Sequence, residues 1–388
     1  MRVLPADRIS RVAEYYFSTK LKQIKEMESS GIDVINLGIG NPDMPASSMV
    51  TRRAKQVIDS PGSHRYQPYK GIDELRFAFS EWYMKKYDVS LSPDDEILPL
   101  MGSKEGIMHI SMAFLNRGDG VLIPDPGYPA YEATARLCSA RCLIYDLKEE
   151  NRWMPDLDLL ERSDLDGIKL MWVNYPNMPT GQQASKEELS GLVEFGLKNR
   201  ILIVNDNPYS LVLNDNPVSL LSVDGAMDTA LELNSLSKSH NMAGWRIGMV
   251  GGAPDYIGYI LRVKSSMDSG MFLPLQYAAI EALGLDGEWY SQLNKEYAAR
   301  RDLVYSILDR LECTYKSGQS GLFVWAKIPS KWKNSEELSD FLLEHHALFV
   351  TPGSVFGSNG YKFIRISLCI EKERLSESMD RIIENITY

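Results

Sequence analysis

From about residue 95 onward, short apolar runs alternate with amphipathic helical stretches, and that alternation confines the chain to a narrow set of folds. Ile97-Leu98-Pro99-Leu100-Met101 leads into Gly102-Ser103-Lys104 and then a helical stretch whose Ile107, Ile110, Phe114 and Leu115 share one face. Gly118-Asp119-Gly120 ends that stretch, and Val121-Leu122-Ile123 reads as the next strand. A strand over 169–173, a helix over 186–198 and a strand over 201–204 repeat the pattern. Short apolar strands separated by helices imply βαβ units and a mostly parallel sheet with helices on its faces.

The two ends of the chain read differently. Residues 12–30 carry a charged amphipathic helical pattern stopped by Gly31, and an apolar stretch over 34–40 is closed by Asn41-Pro42. Beyond about 290 come a charged helix over 297–311 and strands over 323–326 and 363–368. The expected architecture is α/β, with a large domain over 45–290 and a smaller α+β domain built from 1–44 and 291–388. A chain of 388 residues suits two domains. The net charge of -10 argues against nucleic acid or an anionic membrane as the main partner. No apolar run approaches membrane-spanning length and the N-terminus lacks an apolar signal core, so a cytoplasmic protein is expected. Cys138, Cys142, Cys313 and Cys369 fall into no zinc-ligand pattern and the histidines form no HExxH, so no metal site is expected.

In open α/β sheets, ligands bind at the carboxyl ends of the strands. Those ends carry Gly102-Ser103-Lys104, then Asp125-Pro126-Gly127-Tyr128, then Asn174 through Gly181, then Asp206-Asn207-Pro208-Tyr209, and finally Ser235-Leu236-Ser237-Lys238 with Arg246 eight residues on. Together they offer a reactive amine, a carboxylate, a phenol, hydroxyls and an arginine. An imine-forming lysine needs a desolvated site. A pyridine ring acting as electron sink needs a carboxylate at its nitrogen. A phosphate needs a helix N-terminus with hydroxyls and a guanidinium, which Gly102-Ser103-Lys104, Ser235, Ser237 and Arg246 can supply.

The run from Ser235 to Gly248, Ser-Leu-Ser-Lys-Ser-His-Asn-Met-Ala-Gly-Trp-Arg-Ile-Gly, resembles the lysine signature of class I/II aminotransferases, enzymes of the aspartate aminotransferase fold (fold type I). The resemblance extends along nearly the whole chain, through Gly38-Ile-Gly40-Asn-Pro-Asp, Tyr66, Gly71, Leu75-Arg76, Pro-Asn-Met-Pro-Thr-Gly, Asp206 with Tyr209, Thr351-Pro-Gly-Ser and Arg365. It is closest in flavour to the branch with diaminopimelate and alanine/aspartate-type enzymes. It implies pyridoxal 5'-phosphate (PLP) as cofactor, held by Lys238 as a Schiff base, with Asp206 on the pyridinium nitrogen. Tyr209 would donate to the ring's 3-hydroxyl oxygen, with Asn177 nearby, and Tyr128 would stack on the ring. Gly102, Ser103, Lys104, Ser235, Ser237 and Arg246 would hold the phosphate. Arg365 would fork onto the substrate α-carboxylate, with the Gly40 backbone beside it. Tyr66 would reach the phosphate of a neighbouring subunit, which implies a homodimer. The implied reaction moves the amino group of an L-amino acid to a 2-oxo acid by a ping-pong route. A carbon–sulfur β-lyase on the same fold is the nearest alternative.

Two departures from the family pattern matter. The family places Asn immediately before Pro-Thr-Gly, where it donates to the 3-hydroxyl oxygen, and here Met178 stands there. A thioether cannot donate, so the lysine–cofactor linkage is expected to keep its proton to higher pH than in relatives. The stretch 265–276, where dicarboxylate-specific members carry an arginine for the distal carboxylate, contains none. A rival pattern, Ser235-x-x-Lys238 with Ser239-x-Asn241 and Lys316-Ser-Gly318, mimics the three motifs of serine penicillin-interacting enzymes. In that class the second motif lies on a separate segment, whereas here it begins at the residue after the lysine.

Overall fold

The computed structural model describes residues 3–11 and 16–384. Its centre is a seven-stranded sheet with the spatial order Ile97–Leu100, Gly248–Gly252, Ala230–Ser235, Leu202–Asp206, Ile168–Val173, Gly120–Asp125, Arg141–Asp146. Gly248–Gly252 runs antiparallel to both its neighbours, and the other six strands share one direction. All six therefore end at the same edge.

Side-chain alternation explains why the sheet is buried on both faces. Leu98, Leu100, Val121, Ile123, Leu170, Trp172, Val204, Leu231 and Leu233 point into one apolar cluster. Their neighbours Ile97, Leu122, Met171, Val173, Ile203 and Ala230 point into the other. Successive residues of a strand face opposite sides, so an unbroken apolar run feeds two cores. Each fully buried aliphatic side chain contributes about 1.5–3 kcal/mol. The helices that cover the faces carry their own stop and start signals. Lys186–Asn199 opens on a capping box between Ser185 and Glu188 and closes at Arg200 in the left-handed region.

A four-stranded antiparallel sheet is formed by Thr314–Tyr315, Phe323–Lys327, Phe363–Ser367 and Thr351–Pro352. The N-terminal segment packs on this part of the chain: Ile24 and Val34 share an apolar cluster with Leu343, Ala347 and Phe349. Arg300, on the long helix Gly287–Arg310, ties the two ends together by a forked bond to Asp43 at 2.7 and 3.0 Å and a bond to the Leu368 carbonyl.

Three elements differ from expectation. The helix expected over 12–30 is Tyr16–Ser29, and residues 12–15 lie outside the described residues. The apolar stretch over 34–40 forms a strand only at Ile35–Asn36, paired in parallel with Leu348–Phe349. It stops because the Asn36 side chain accepts from the amides of Gly38 and Ile39, turning the chain. The segment then runs so close to the small sheet that a Cβ on Gly40 would lie 2.1 Å from the Phe323 ring. The helix expected over 297–311 begins ten residues earlier, at Gly287, where Asp286 caps it.

Candidate active site

A cleft of about 600 Å³ opens where the six parallel strands end. Five of the six strand ends deliver side chains to it. Ser103 and Lys104 follow Ile97–Leu100, Tyr128 follows Gly120–Asp125, and Asn174 and Met178 follow Ile168–Val173. Asp206 and Ser235 are the last residues of their own strands, with Tyr209, Ser237, Lys238 and Arg246 just beyond. Phe323, Phe356 and Arg365 close the cleft from the small sheet, and Leu21, Ile39 and Gly40 close it from the N-terminal segment.

One end of the cleft is built for an anion. The helix Ser103–Phe114 starts at Gly102, whose φ is 84°, and its first two residues line the cleft, where a helix N-terminus favours an anion. A Cβ on Gly102 would lie 2.2 Å from Arg246 Nη2, so glycine is what lets the guanidinium close over the helix start. Ser235 and Ser237 place their hydroxyl oxygens 2.8 Å apart on the same wall.

The middle of the cleft holds an amine and a carboxylate with opposite perturbations. Burial pushes the Lys238 amine below the ordinary lysine range, and the charges of Arg365 and Arg246 push the same way. Lys238 Nζ donates to the Gly40 carbonyl at 2.9 Å. Asp206 is only 5% exposed, and burial pushes its carboxyl up to about 6 against the pull of a Tyr131 hydrogen bond and the Lys238 charge. Its Oδ2 accepts from the Tyr131 hydroxyl at 3.0 Å, while its buried Oδ1 has no hydrogen-bond partner. Burial raises the Tyr209 hydroxyl above the ordinary phenol range, so it remains a donor at neutral pH.

At the other end Arg365 lies between two phenyl rings, its guanidinium carbon 3.8 Å from the Phe323 centroid and 4.6 Å from that of Phe356. Its Nη2 donates to the Gly38 carbonyl at 2.8 Å and its Nη1 approaches Met178 Sδ at 3.2 Å. The rings and the carbonyl fix the plane of the fork, which is the geometry that receives a carboxylate.

Eleven of the fourteen residues singled out from sequence line this cleft, Gly102 stands at the helix start beside Ser103, and Asn177 and Tyr66 lie outside it. Asn177 does not line the cleft. Its Oδ1 accepts from the Thr180 amide at 3.3 Å and from Thr180 Oγ1 at 2.8 Å, and its backbone amide bonds to the Gln182 carbonyl, so the side chain is folded into its own turn. Its Nδ2 is buried with no hydrogen-bond partner, and Asn174 from the same stretch lines the cleft. Tyr66 is 90% exposed and sits outside the cleft, in a groove with His64, Gln67 and Phe272. Tyr131, Phe323 and Phe356 were not anticipated. Tyr131 had a signal, because it lies three residues after Tyr128 at a helix start and so shares its side of the helix.

The family model for aminotransferase class I and II matches residues 32–382. The chain is 37% identical over 379 residues to the LL-diaminopimelate aminotransferase of Halothermothrix orenii, covering 97% of each chain. It is 39% identical over 381 residues to that of Natranaerobius thermophilus, covering 98% of each. Among solved structures, apo-BacF from Bacillus subtilis superposes with a TM-score of 0.95 at 33% identity over 100% of this chain and 99% of that one. The aromatic aminotransferase of Pyrococcus horikoshii superposes with a TM-score of 0.86 at 28% identity over 94% and 98%. Among the described residues, no helix is long and apolar enough to cross a membrane. With a lysine, a carboxylate and an arginine lining one cleft, and with family matches over nearly the whole chain, the chain belongs to the class I and II aminotransferases.

Proposed function

We propose that this aminotransferase uses PLP, held covalently by Lys238, to move the amino group of an L-amino acid to a 2-oxo acid by a ping-pong route. The observation that carries the reading is the pairing of a downshifted amine, Lys238, with a buried carboxylate, Asp206, whose Oδ1 has no partner in the same cleft. The residues fit the cofactor on three counts. The Gly102 cradle under Arg246 suits a phosphate, the orphan Asp206 oxygen suits a ring N–H, and Lys238 is poised as a nucleophile. When bound, PLP supplies a carbonyl carbon for the amino group and a pyridinium that withdraws electrons from it.

The chain's own residues divide the work. Ser103, Lys104, Ser235, Ser237 and Arg246 would hold the phosphate. Asp206 Oδ1 would accept from the ring nitrogen, Tyr209 would donate to the 3-oxygen, and Tyr128 would stack on the ring. Arg365 forks onto the substrate α-carboxylate, which turns the α-hydrogen toward Lys238. The Lys238 amine then takes that proton as general base and delivers it again as acid. Both half-reactions use the same groups, so one product leaves before the second substrate enters.

Leu21, Ile39, Phe323 and Phe356 give the cleft apolar walls, and Asp206 is the one acid among the described residues that line it. That lining favours an amino acid with an apolar body over LL-diaminopimelate, whose distal end is charged. The test is a half-reaction screen. Single L-amino acids are added to the yellow PLP-loaded protein without any 2-oxo acid. Loss of the yellow band, fastest with apolar amino acids and restored by a 2-oxo acid, is the expected result. Release of ammonia and pyruvate from a sulfur amino acid with the band intact would replace amino transfer with β-elimination, and a fastest exchange with LL-diaminopimelate would overturn the apolar preference.

Two further expectations arise here. Met178 presents its sulfur to Arg365 and has no hydrogen to give the 3-oxygen. Met178→Asn should therefore lower the pH at which the yellow band titrates, by up to about 1 unit if a full hydrogen bond is gained. A spectrophotometric pH titration checks it, and an unchanged or higher midpoint contradicts it. Tyr66 stands on a surface that also exposes Tyr69, Phe272 and Met267. A homodimer that covers this surface would bring Tyr66 to the phosphate of a second copy. Sedimentation equilibrium should give twice the chain mass of 43.9 kDa, and a monomer that turns over at full rate would count against shared sites.

A further inference from the structure

Asp206 has a second attachment that the amino-transfer scheme leaves without a role. Its Oδ2 accepts from Tyr131 at 3.0 Å, and the main-chain carbonyl of Asp206 accepts from the Asn174 side chain. Tyr131 itself is fully buried. Its ring lies flat on Trp172, with centroids 4.9 Å apart and planes 3° from parallel, and meets Tyr128 edge-on at 5.6 Å. A phenol clamped on two sides in this way has little freedom to turn its hydroxyl elsewhere. The bond therefore costs little ordering entropy and dictates which Asp206 oxygen is left for the cleft.

We propose that Tyr131 is a positioning residue for this reaction: its hydroxyl holds the Asp206 carboxylate with Oδ1 turned to the cleft and stabilises the charge that the ring nitrogen requires. The proposal rests on the PLP reading given above. The titratable groups that act on Asp206 are Tyr131, the Lys238 amine and the phenol of Tyr209. Burial works against the carboxylate's charge, and Tyr131 and Lys238 work for it. Lys238 is consumed when it bonds the cofactor covalently and loses that charge when the linkage is neutral. Tyr131 is then the group that still donates to Oδ2.

The experiment is Tyr131→Phe in the PLP-loaded enzyme, made alone and together with Asp206→Asn. The phenyl ring keeps the stack on Trp172, so thermal unfolding reports whether the fold survives. PLP dissociation is measured by cofactor absorbance, and kcat/KM is followed against pH. The single variant should bind PLP about tenfold more weakly near pH 6, with a smaller deficit near pH 8.5 where Asp206 is ionised in both proteins. The acid limb of kcat/KM should move up by about 1 pH unit. On the Asp206→Asn background, Tyr131→Phe should change PLP affinity by less than about twofold, because the group it acts through is gone. An unmoved acid limb, or an equal loss of PLP affinity on both backgrounds, would make Tyr131 a packing residue and overturn the proposal. Wild-type protein that takes up no PLP at all would instead overturn the reading on which it rests.

Discussion

Lys238→Ala should lower the rate of amino transfer by at least about 10⁴-fold while leaving a folded protein. A positioned general base alone contributes about 10²–10⁴-fold, and the covalent role adds to that. No neighbour can take over. The other amine that lines the cleft, Lys104, sits at the start of the helix Ser103–Phe114, at the phosphate end. A guanidinium is not a usable proton acceptor in a protein, so Lys238→Arg should be as inactive as the alanine variant. The fold should survive because the ammonium makes one bond in the structure, to the Gly40 carbonyl, at the edge of an open cleft. The measurement is single-turnover exchange with the fastest amino acid from the screen, with and without a small primary amine in the buffer. Ethylamine should restore part of the proton-transfer rate in Lys238→Ala and none in wild type. A variant within about tenfold of wild type would remove Lys238 from the chemistry.

The strands that proved legible from sequence were those whose apolar runs feed two cores, such as the strand ending at Asp206, because burial on both faces leaves an unbroken hydrophobic signature. Gly248–Gly252 gave no such signal. Three of its five residues are glycines, and a Cβ on Gly248 would lie 2.6 Å from the Asn234 carbonyl, so the neighbouring strand leaves no room for a side chain at that position. Arg141–Asp146 was equally silent, since it is the sheet's outer strand and is exposed along much of its length. The reactive residues could be found because the fold collects strand ends, and strand ends can be read locally. Asn177 lies outside the cleft for a local reason: the choice between Asn174 and Asn177 depends on which one the turn through Thr180 consumes. Phe323, Phe356 and Leu21 could not be found at all, because three distant segments bring them together with no periodic mark.

Asp206→Asn should separate the needs of the reaction from those of the fold. Activity should fall by about 10²–10⁴-fold, since removing one member of a buried charge pair costs about 3–5 kcal/mol and here the loss falls on the protonated ring that draws electrons from the substrate. The cofactor-free protein should nevertheless gain stability. Burial raises the Asp206 carboxyl from 3.8 to about 6. The folded state therefore holds this proton over a pH range in which the unfolded chain has already released it. A carboxyl raised in this direction loses stabilising influence as pH rises through that window, and the penalty is complete above about pH 6. A rise of about 2 units corresponds to about 3 kcal/mol, of which about a third applies at pH 4.5. The Asn side chain titrates nowhere in this range and can still accept the Tyr131 hydroxyl through its amide oxygen. Thermal unfolding of the two cofactor-free proteins should therefore favour the variant by a margin that widens from about pH 4.5 to about pH 8. A margin that stays constant or reverses over that interval would mean the carboxylate is not held ionised against its burial. PLP binding should narrow the gap, because the ring N–H supplies the counter-charge that the empty cleft withholds from Oδ1, so the same residue that weakens the cofactor-free protein tightens the loaded one.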